Sequence, residues 1–199
     1  LVMRLAGLSD VPVAAGAAGP VDGRPASLAP YVHGADGLGD LGLSRPSPTV
    51  VDRSSAEYLV ELANSAPGRY DLLPLGPLTN VALALQVDPL LLTKFRSTVL
   101  MGGSGPFPPL GVAQIVDANV SNDPEAARAV FAAPRSELVM VGVNVGVTTI
   151  VDEAAVQLLH RSGTPGGEFT AKALESYMDF YQYSWGRRVS PAWDGLAAG

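Results

Sequence analysis

One short segment brings acidic and imidazole side chains together at a spacing that could do chemistry. VHGADGLGD, residues 32–40, holds three glycines, two aspartates and one of the two histidines of the chain. A phosphate-binding loop needs a lysine after a strand-to-helix turn, and none stands there. A calcium EF-hand needs acidic residues at alternate positions and a later glutamate, which are also missing. Two interpretations stay open: a structural glycine loop, or a loop that directs His33 or Asp36 into a pocket.

A second segment, VDANVSNDPEAA at residues 116–127, pairs a carboxylate with an amide. Asp117 and Asn119 are two positions apart, so in an extended segment both side chains point to the same side. Such a pair suits a polyhydroxylated ligand, because both groups can form hydrogen bonds with sugar hydroxyl groups. The alternative is that these residues solvate a loop and cap a helix.

A third segment, LPLGPLTNVALAL at residues 73–85, combines turn residues with polar ones. Gly76 and Pro77 end a strand, and Thr79 or Asn80 can cap the helix that follows. The alternative is functional: the Leu75 carbonyl, freed from the strand ladder, can serve as a hard oxygen ligand for a metal ion.

The last segment is SPAWDGLAAG at the end of the chain, where Trp193 precedes Asp194. A tryptophan in this position can be a ligand-binding platform or a half-buried packing residue. The pair alone does not decide between these roles.

Strands and helices alternate along the chain and must position these segments. Apolar runs predict buried strands at residues 11–15, 70–75, 97–103 and 136–145. Helical periodicity and capping signals predict helices within residues 54–66, 121–133, 152–163 and 168–188. This order predicts an α/β fold with an open, mostly parallel sheet and helices on both faces. Ligands bind such folds at the carboxyl ends of the strands.

The composition excludes several classes of protein. The chain has 199 residues, 47% of them hydrophobic, a net charge of -6 and a pI near 4.8. The acidic balance argues against nucleic-acid binding, and no uncharged apolar run approaches the ~18 residues that suggest a membrane span. Without cysteine there is no thiolate metal site, and the chain fits a reducing, cytoplasmic location. No G-x-G-x-x-G follows a strand, which disfavours a dinucleotide enzyme.

Taken together, VPVAAGAAGP, HGADGLGD, GPLTNVALAL, VLMGG, DPEAARAVF and MVGVNV resemble the inosine-uridine-type nucleoside hydrolases over essentially the whole chain. The resemblance implies hydrolysis of the N-glycosidic bond of a ribonucleoside to ribose and a free base. It implies a calcium ion that holds the ribose 2′- and 3′-hydroxyls and a water, while an aspartate of a D-x-D-x-x-x-D-D cluster takes the proton of that water. A homodimer or homotetramer is implied as well.

The resemblance also assigns roles to individual residues. Two residues match calcium ligands of the family, Leu75 through its carbonyl and Asp194 through its carboxylate. The positions that match substrate-binding residues around the ribose and the base are His33, Met101, Asp117, Asn119, Tyr177, Tyr181 and Trp193. His33 lies in the loop that closes over the base, so the resemblance favours the pocket interpretation of HGADGLGD.

The sequence departs from the family pattern at three substrate positions. Trp193 stands where most members have a leaving-group histidine, as it does in the purine-specific branch. Stacking of the indole raises the basicity of purine N7, so purine nucleosides are the predicted substrates. Asp117 replaces a glutamate and retracts the carboxylate by one methylene group. The asparagine of a Gly-Asn pair is absent near Leu110–Val112, which puts the contact with the 5′-hydroxyl in doubt.

No stretch of the chain resembles the D-x-D-x-x-x-D-D cluster, so no residue is assigned as catalytic base. We interpret residues 1–199 as a single, partial nucleoside hydrolase-like domain. Calcium prefers six to eight oxygen ligands, and only two are assigned here. The chain as given is therefore expected neither to bind calcium tightly nor to hydrolyse nucleosides. The alternative function is a catalytically inactive relative that binds nucleosides or sugars.

Overall fold

The computed structural model describes residues 1–43, 50–104 and 117–199. The chain divides into two compact units. The first unit comprises Leu1–Val13, Leu28–Val50 and Ile150–Pro191, and the second comprises Ala14–Ser27, Val51–Thr149 and Ala192–Gly199. Within the described ranges, no helix has the length and apolar character needed to cross a bilayer.

Short strands alternate with helices through most of the chain, as the sequence predicts. The strands are β1 (Val13–Ala15), β2 (Val50–Ser54), β3 (Ser97–Met101), β4 (Glu137–Val141), β5 (Ile150–Val151) and β6 (Ser190–Pro191). The helices are α1 (Val2–Leu5), α2 (Pro30–His33), α3 (Ser55–Ser65), α4 (Thr79–Val87), α5 (Ala118–Asn122), α6 (Pro124–Ala132), α7 (Val143–Gly146), α8 (Glu153–Arg161), α9 (Pro165–Trp185) and α10 (Trp193–Ala198), with a 3₁₀ turn at Leu91–Thr93.

The second unit contains the parallel pair β3 and β4, which run in register from Ser97 opposite Glu137 to Met101 opposite Val141. The strand predicted at residues 136–145 is shorter than expected, because the chain turns after β4 into the short helix α7. The carboxyl ends of β3 and β4 therefore lie side by side, and α7 begins directly after β4.

Residues 70–75 lie beside β3 but form less of a strand than the sequence predicts. Only one parallel bridge forms, between Leu72 and Thr98. The backbone N–H of Val99 donates to the Leu72 carbonyl at 2.9 Å. Pro74 has no N–H to continue the ladder in the other direction, which accounts for the short pairing.

Local signals set the starts of α3 and α6, the helices predicted within residues 54–66 and 121–133. Ser54 caps α3, and Glu57 completes a capping box with it. Asp123 caps α6 by accepting from the N–H of Ala126, and Pro124 occupies the first turn. With α4, these helices bury the main apolar core of the second unit, whose largest fully buried side chains are Leu91, Leu92, Leu100 and Val130.

The helix α4 begins without the side-chain cap that the sequence predicts. Its N-cap residue is Leu78, whose side chain accepts no hydrogen bond. The Thr79 hydroxyl donates to Asp123 Oδ2 at 2.6 Å, and Asn80 Oδ1 accepts from the backbone N–H of Ala17 at 2.8 Å. The prediction of a cap at Thr79 or Asn80 was therefore wrong, because both side chains bond to distant segments instead.

The first unit is built around the long helix α9, against which α1, α2 and α8 pack. Strands β5 and β6 form an antiparallel pair. On α8, His160 bonds to two carboxylates of α9, through Nδ1 to Glu168 at 2.7 Å and through Nε2 to Glu175 at 3.0 Å. These contacts join α8 to α9.

Candidate functional site

The end of β3 brings together two of the residues predicted to hold a ribose. The amide nitrogen of Asn119 lies 3.0 Å from the Met101 carbonyl oxygen and 3.2 Å from the Met101 sulfur. Every hydrogen bond of the Asn119 side chain within the described residues uses this nitrogen. The carbonyl oxygen Oδ1 of Asn119 is therefore available to accept from a ligand hydroxyl.

Asp117 adjoins this pair, although not in the way the sequence predicts. The segment is not extended at Asn119, because α5 begins at Ala118 and Asp117 is its N-cap. Asp117 Oδ1 accepts from the N–H of Asn119 at 3.2 Å, and Oδ2 accepts from the N–H of Val120 at 2.6 Å. The capping role is therefore present. An ionised carboxylate has about four acceptor positions, and two of them serve these backbone donors.

The Leu75 carbonyl lies close to the same residues. It accepts a long hydrogen bond of 3.4 Å from the amide nitrogen of Asn119.

Asp194, the other predicted calcium ligand, is exposed in the first turn of α10. Across residues 1–43, 50–104 and 117–199, no three acidic, histidine or cysteine side chains are grouped to hold a metal ion. One carbonyl and one carboxylate fall short of the six to eight oxygens that calcium prefers, so the described part of the chain does not supply a complete calcium site.

Trp193 is half-buried at the start of α10. Its indole packs against a small apolar cluster formed by Met101, Val143 and Ala197, near the ends of β3 and β4. Asn119 is therefore hydrogen-bonded to Met101, and Trp193 packs against the cluster to which Met101 belongs. The second unit thus gathers a carboxylate, an amide and an indole around the end of one strand.

The remaining predicted residues lie in the first unit and form an aromatic group of their own. The rings of His33 and Tyr177 stack with centroids 5.5 Å apart. Tyr177 and Tyr181 approach edge to face at 5.0 Å, and their hydroxyl oxygens are 3.2 Å apart. Their predicted role near the base stays a prediction.

The loop at residues 33–40 combines both interpretations of HGADGLGD. Asp40 Oδ1 accepts from the backbone N–H groups of Ala35 and Asp36, and Asp36 Oδ1 accepts from those of Leu38 and Asp40. The two carboxylates therefore hold the loop together. His33, in contrast, lines a cavity of about 340 Å³ together with Tyr177 and residues of α9.

Asp123 has a role that sequence reasoning missed. Only 1% of this residue is exposed, and Oδ2 accepts from the Thr79 hydroxyl and from the N–H of Val21 at 3.0 Å. Burial raises the pKa of the Asp123 carboxyl, but hydrogen bonds from Thr79, Ala126 and Val21 outweigh it, so the pKa lies below its ordinary value. Asp123 thus joins α6 to the start of α4 and to a distant loop. The Asp-Pro signal revealed only the helix cap.

Gly146 is a second residue without an assigned role in the sequence analysis. It is buried at the end of α7, and the six-membered ring of the Trp193 indole lies directly over it. No local pattern in VNVGVTT could reveal this contact, because the partner is 47 residues away in the sequence. The missing Gly-Asn pair near Leu110–Val112 falls outside the described residues.

Comparison with known proteins gives relatives along almost the whole chain. Uridine nucleosidase 1 from Arabidopsis thaliana is 41% identical over 183 residues, which are 92% of this chain and 52% of that protein. A plant nucleoside hydrolase, the PpNRh1 enzyme, superposes with a TM-score of 0.88 at 28% identity, over 98% of this chain and 61% of that one. A purine-preferring ribonucleoside hydrolase from Gardnerella vaginalis gives 0.87 at 25% identity, over 98% and 62%. The chain therefore spans roughly half to three fifths of the length of these relatives.

These superpositions confirm the predicted fold class, an open and mostly parallel α/β sheet with helices. The family described as inosine-uridine preferring nucleoside hydrolase matches residues 1–199. Since that match covers the full sequence and agrees with the relatives in both sequence and structure, the chain belongs to the inosine-uridine preferring nucleoside hydrolase family.

Proposed function

We propose that the full-length protein hydrolyses the N-glycosidic bond of ribonucleosides, with Asp117 and Asn119 as ribose-binding residues. The observation that carries this proposal is the position of both residues at the end of β3: the Asn119 amide lies against the buried Met101, and Asp117 caps the helix that carries Asn119. Asn119 Oδ1 would accept from one ribose hydroxyl, and the Asp117 carboxylate would accept from another.

The reaction breaks the bond between C1′ of the ribose and the nitrogen of the base. Water supplies the hydroxyl group that C1′ gains and the proton that the departing base gains. Positive charge develops on the ribose as this bond breaks. Acceptor oxygens that are already oriented stabilise this charge without reorganisation. The backbone bonds of Asp117 and the amide bonds of Asn119 provide that orientation.

Release of reducing sugar from inosine and from uridine by the full-length protein tests the proposal. Asn119→Ala should lower kcat/KM by about 100-fold, as loss of one oriented polar contact does in other enzymes. Asn64→Ala is the matched control, because Asn64 is an exposed amide on α3 that bonds to Asp88 and Lys94. Equal activity of both variants would contradict the role of Asn119.

For the base, we propose a preference for purine nucleosides, with Trp193 as the stacking platform. The half-buried indole at the end of β3 supports this preference, since a fused two-ring base offers more stacking area than a pyrimidine. One relative is named a uridine nucleosidase and one structural neighbour a purine-preferring hydrolase, so relatives point in both directions. The ratio of kcat/KM for inosine to that for uridine measures the preference, and a ratio below one would contradict it.

We further propose that activity of the full-length protein depends on calcium, with the Leu75 carbonyl and Asp194 among the ligands. Removal of calcium by a chelator should abolish activity, and restored calcium should return it. The chain of residues 1–199 should bind calcium weakly, because its described part offers too few oxygen ligands. Micromolar binding by this chain in calorimetry would contradict that expectation.

A second candidate function is binding of nucleosides or sugars without catalysis. The observation that favours it is the short side chain of Asp117, both oxygens of which are engaged in capping α5. In this case calorimetry on the full-length protein would detect inosine binding, while no reducing sugar would be released.

A further inference from the structure

We propose that Gly146 is a specificity-determining residue. Because glycine has no side chain, the Trp193 indole can lie against residue 146, and this contact fixes where the indole stacks on the base. This inference rests on the proposed role of Trp193 as a stacking platform. It adds a residue on a different element, α7, that does not itself touch the substrate.

The contact between Gly146 and Trp193 leaves no room for a side chain. A Cβ atom added to Gly146 would lie 2.6 Å from Cζ3 of the indole and closer still to Cε3. Carbon atoms that are not bonded to each other pack at about 3.5–4.0 Å. A methyl group at residue 146 would therefore displace the ring by roughly 1 Å.

The indole cannot make this shift without losing other contacts. It packs against the cluster of Met101, Val143 and Ala197, each of which is 6–7% exposed. The ring is rigid, so a methyl group that pushes part of it moves the whole plane. Displacement would change the tilt of the ring relative to Met101, next to the proposed ribose contacts of Asn119.

The glycine is not needed for backbone conformation. Gly146 is the last residue of α7 and is not among the glycines with positive φ. Alanine normally favours a helix over glycine by roughly 0.5–1 kcal/mol, so a purely structural view predicts that Gly146→Ala is neutral or stabilising. The requirement for glycine comes from the indole.

A matched control is available within α10. A Cβ atom on Gly195 would meet only the Cβ of Ala192, at 3.7 Å, which is an ordinary contact. Gly195→Ala therefore adds the same methyl group to a helix two residues from Trp193 without touching the indole. It should leave the behaviour of Trp193 unchanged.

The first measurement is independent of any ligand. Residues 1–199 hold two tryptophans, so Trp185→Phe removes the other indole of this stretch, and difference spectra against that parent report on Trp193. In that background of the full-length protein, Gly146→Ala should change the near-ultraviolet circular dichroism and the emission of Trp193, and Gly195→Ala should not. An unchanged spectrum for Gly146→Ala would overturn the proposal.

The second measurement is the ratio of kcat/KM for inosine to that for uridine or, if the full-length protein releases no sugar, the ratio of the two dissociation constants from calorimetry. Gly146→Ala should shift this ratio by about 2- to 10-fold, in the same direction as Trp193→Ala, since stacking contacts contribute on that scale. In a Trp193→His background the smaller ring leaves space for the methyl group, so the added Gly146→Ala should change nothing. This double variant should also fold normally if Gly146→Ala alone does not.

The outcomes separate this inference from the proposed function. If Trp193→Ala shifts the ratio and Gly146→Ala does not, the role of Gly146 is overturned while the platform role stands. If neither variant shifts the ratio, the platform role fails and the specificity role of Gly146 fails with it. An equal effect of Gly146→Ala in the tryptophan and histidine backgrounds would overturn the steric mechanism.

Discussion

Two segments of the chain each carry a pair of aspartates. Asp36 and Asp40 lie in the first unit, and Asp117 and Asp123 lie in the second. In the first unit, Asp36 and Asp40 are four residues apart in the loop at residues 33–40, and each accepts hydrogen bonds from backbone N–H groups of that loop. In the second unit, Asp123 is buried and accepts from Val21, Thr79 and Ala126. The same residue type therefore holds a turn in one place and joins separate elements in the other.

The difference between the two segments is one of burial and of partners. A loop that satisfies its own N–H groups can open locally without disturbing the rest of the unit. A buried carboxylate that accepts from three elements cannot be lost without leaving several donors unpaired. We expect the energetic consequences of substitution to follow this order.

The largest effect is expected for Asp123→Ala. This change leaves the Thr79 hydroxyl and two backbone N–H groups without their acceptor, and each buried unpaired donor costs about 1–3 kcal/mol. The free energy of unfolding in urea should fall by about 3 kcal/mol or more. Glu125→Ala is the control, because Glu125 lies in the same helical turn but only pairs with exposed Arg128, and it should change stability by less than about 0.5 kcal/mol. Similar losses for both variants would remove the contrast between the segments.

Asp117 should give an intermediate effect on stability and a larger one on activity. Asp117→Ala removes the cap of α5 and should lower the free energy of unfolding by about 1–2 kcal/mol. Asp117→Asn keeps a capping oxygen, so the free energy of unfolding of this variant should stay within about 1 kcal/mol of the parent. Because the variant loses the carboxylate charge, kcat/KM of the full-length protein should fall at least about 10-fold. Full activity of Asp117→Asn would show that the residue is only a cap.

Asp40→Ala should have a smaller and local effect. Asp40 has a φ of 56°, in the left-handed region that aspartate and asparagine tolerate better than alanine. We expect a loss of about 1 kcal/mol and faster hydrogen exchange at the amides of Ala35 and Asp36. Asp40→Asn should preserve most of the protection. Faster exchange throughout the first unit would instead show that this loop stabilises more than itself.

The smallest effect is expected in the pH dependence of the two units, which should have opposite signs. His160 on α8 faces Glu168 and Glu175, and hydrogen bonds to these carboxylates raise its pKa above 6.5. Its contribution to stability is therefore complete below pH 6.5 and lost as the pH rises through the raised pKa. Asp123 has a lowered pKa, so its contribution is present above the ordinary carboxyl pKa of 3.8 and lost as the pH falls through the lowered value.

Melting temperatures measured across the pH range test these signs. His160→Gln should remove the loss of stability that occurs above pH 6.5. It should also weaken the part of the acid limb that comes from Glu168, because the hydrogen bond from His160 lowers the pKa of that carboxyl, while the contribution of Asp123 stays. Lys172 also pairs with Glu168, so a Lys172→Met variant serves as the control for the charge of that glutamate. An unchanged alkaline limb in His160→Gln would exclude the coupling between α8 and α9.

Sequence reasoning succeeded where a structural role is fixed by neighbouring residues. The helices α3 and α6 were predicted from periodicity and capping signals, and their caps Ser54 and Asp123 bond to partners at most three positions away. It was wrong where a polar side chain had a distant partner available, as for Thr79 and Asn80, which bond to Asp123 and Ala17 instead of capping α4. The geometry of Asp117 and Asn119 was also different from the expectation, since a helical turn, and not an extended strand, brings them together.

The sequence by itself determined the starts of α3 and α6, the tight glycine turn of residues 33–40 and the family to which the chain belongs, because these depend on residue types at fixed short spacings. Only the tertiary structure decided which side chains meet at the end of β3. The contacts of Met101 with Asn119 and of Gly146 with Trp193 join residues 18 and 47 positions apart. Such contacts depend on how whole elements pack, and packing is set by the combined shapes of many side chains rather than by any local pattern.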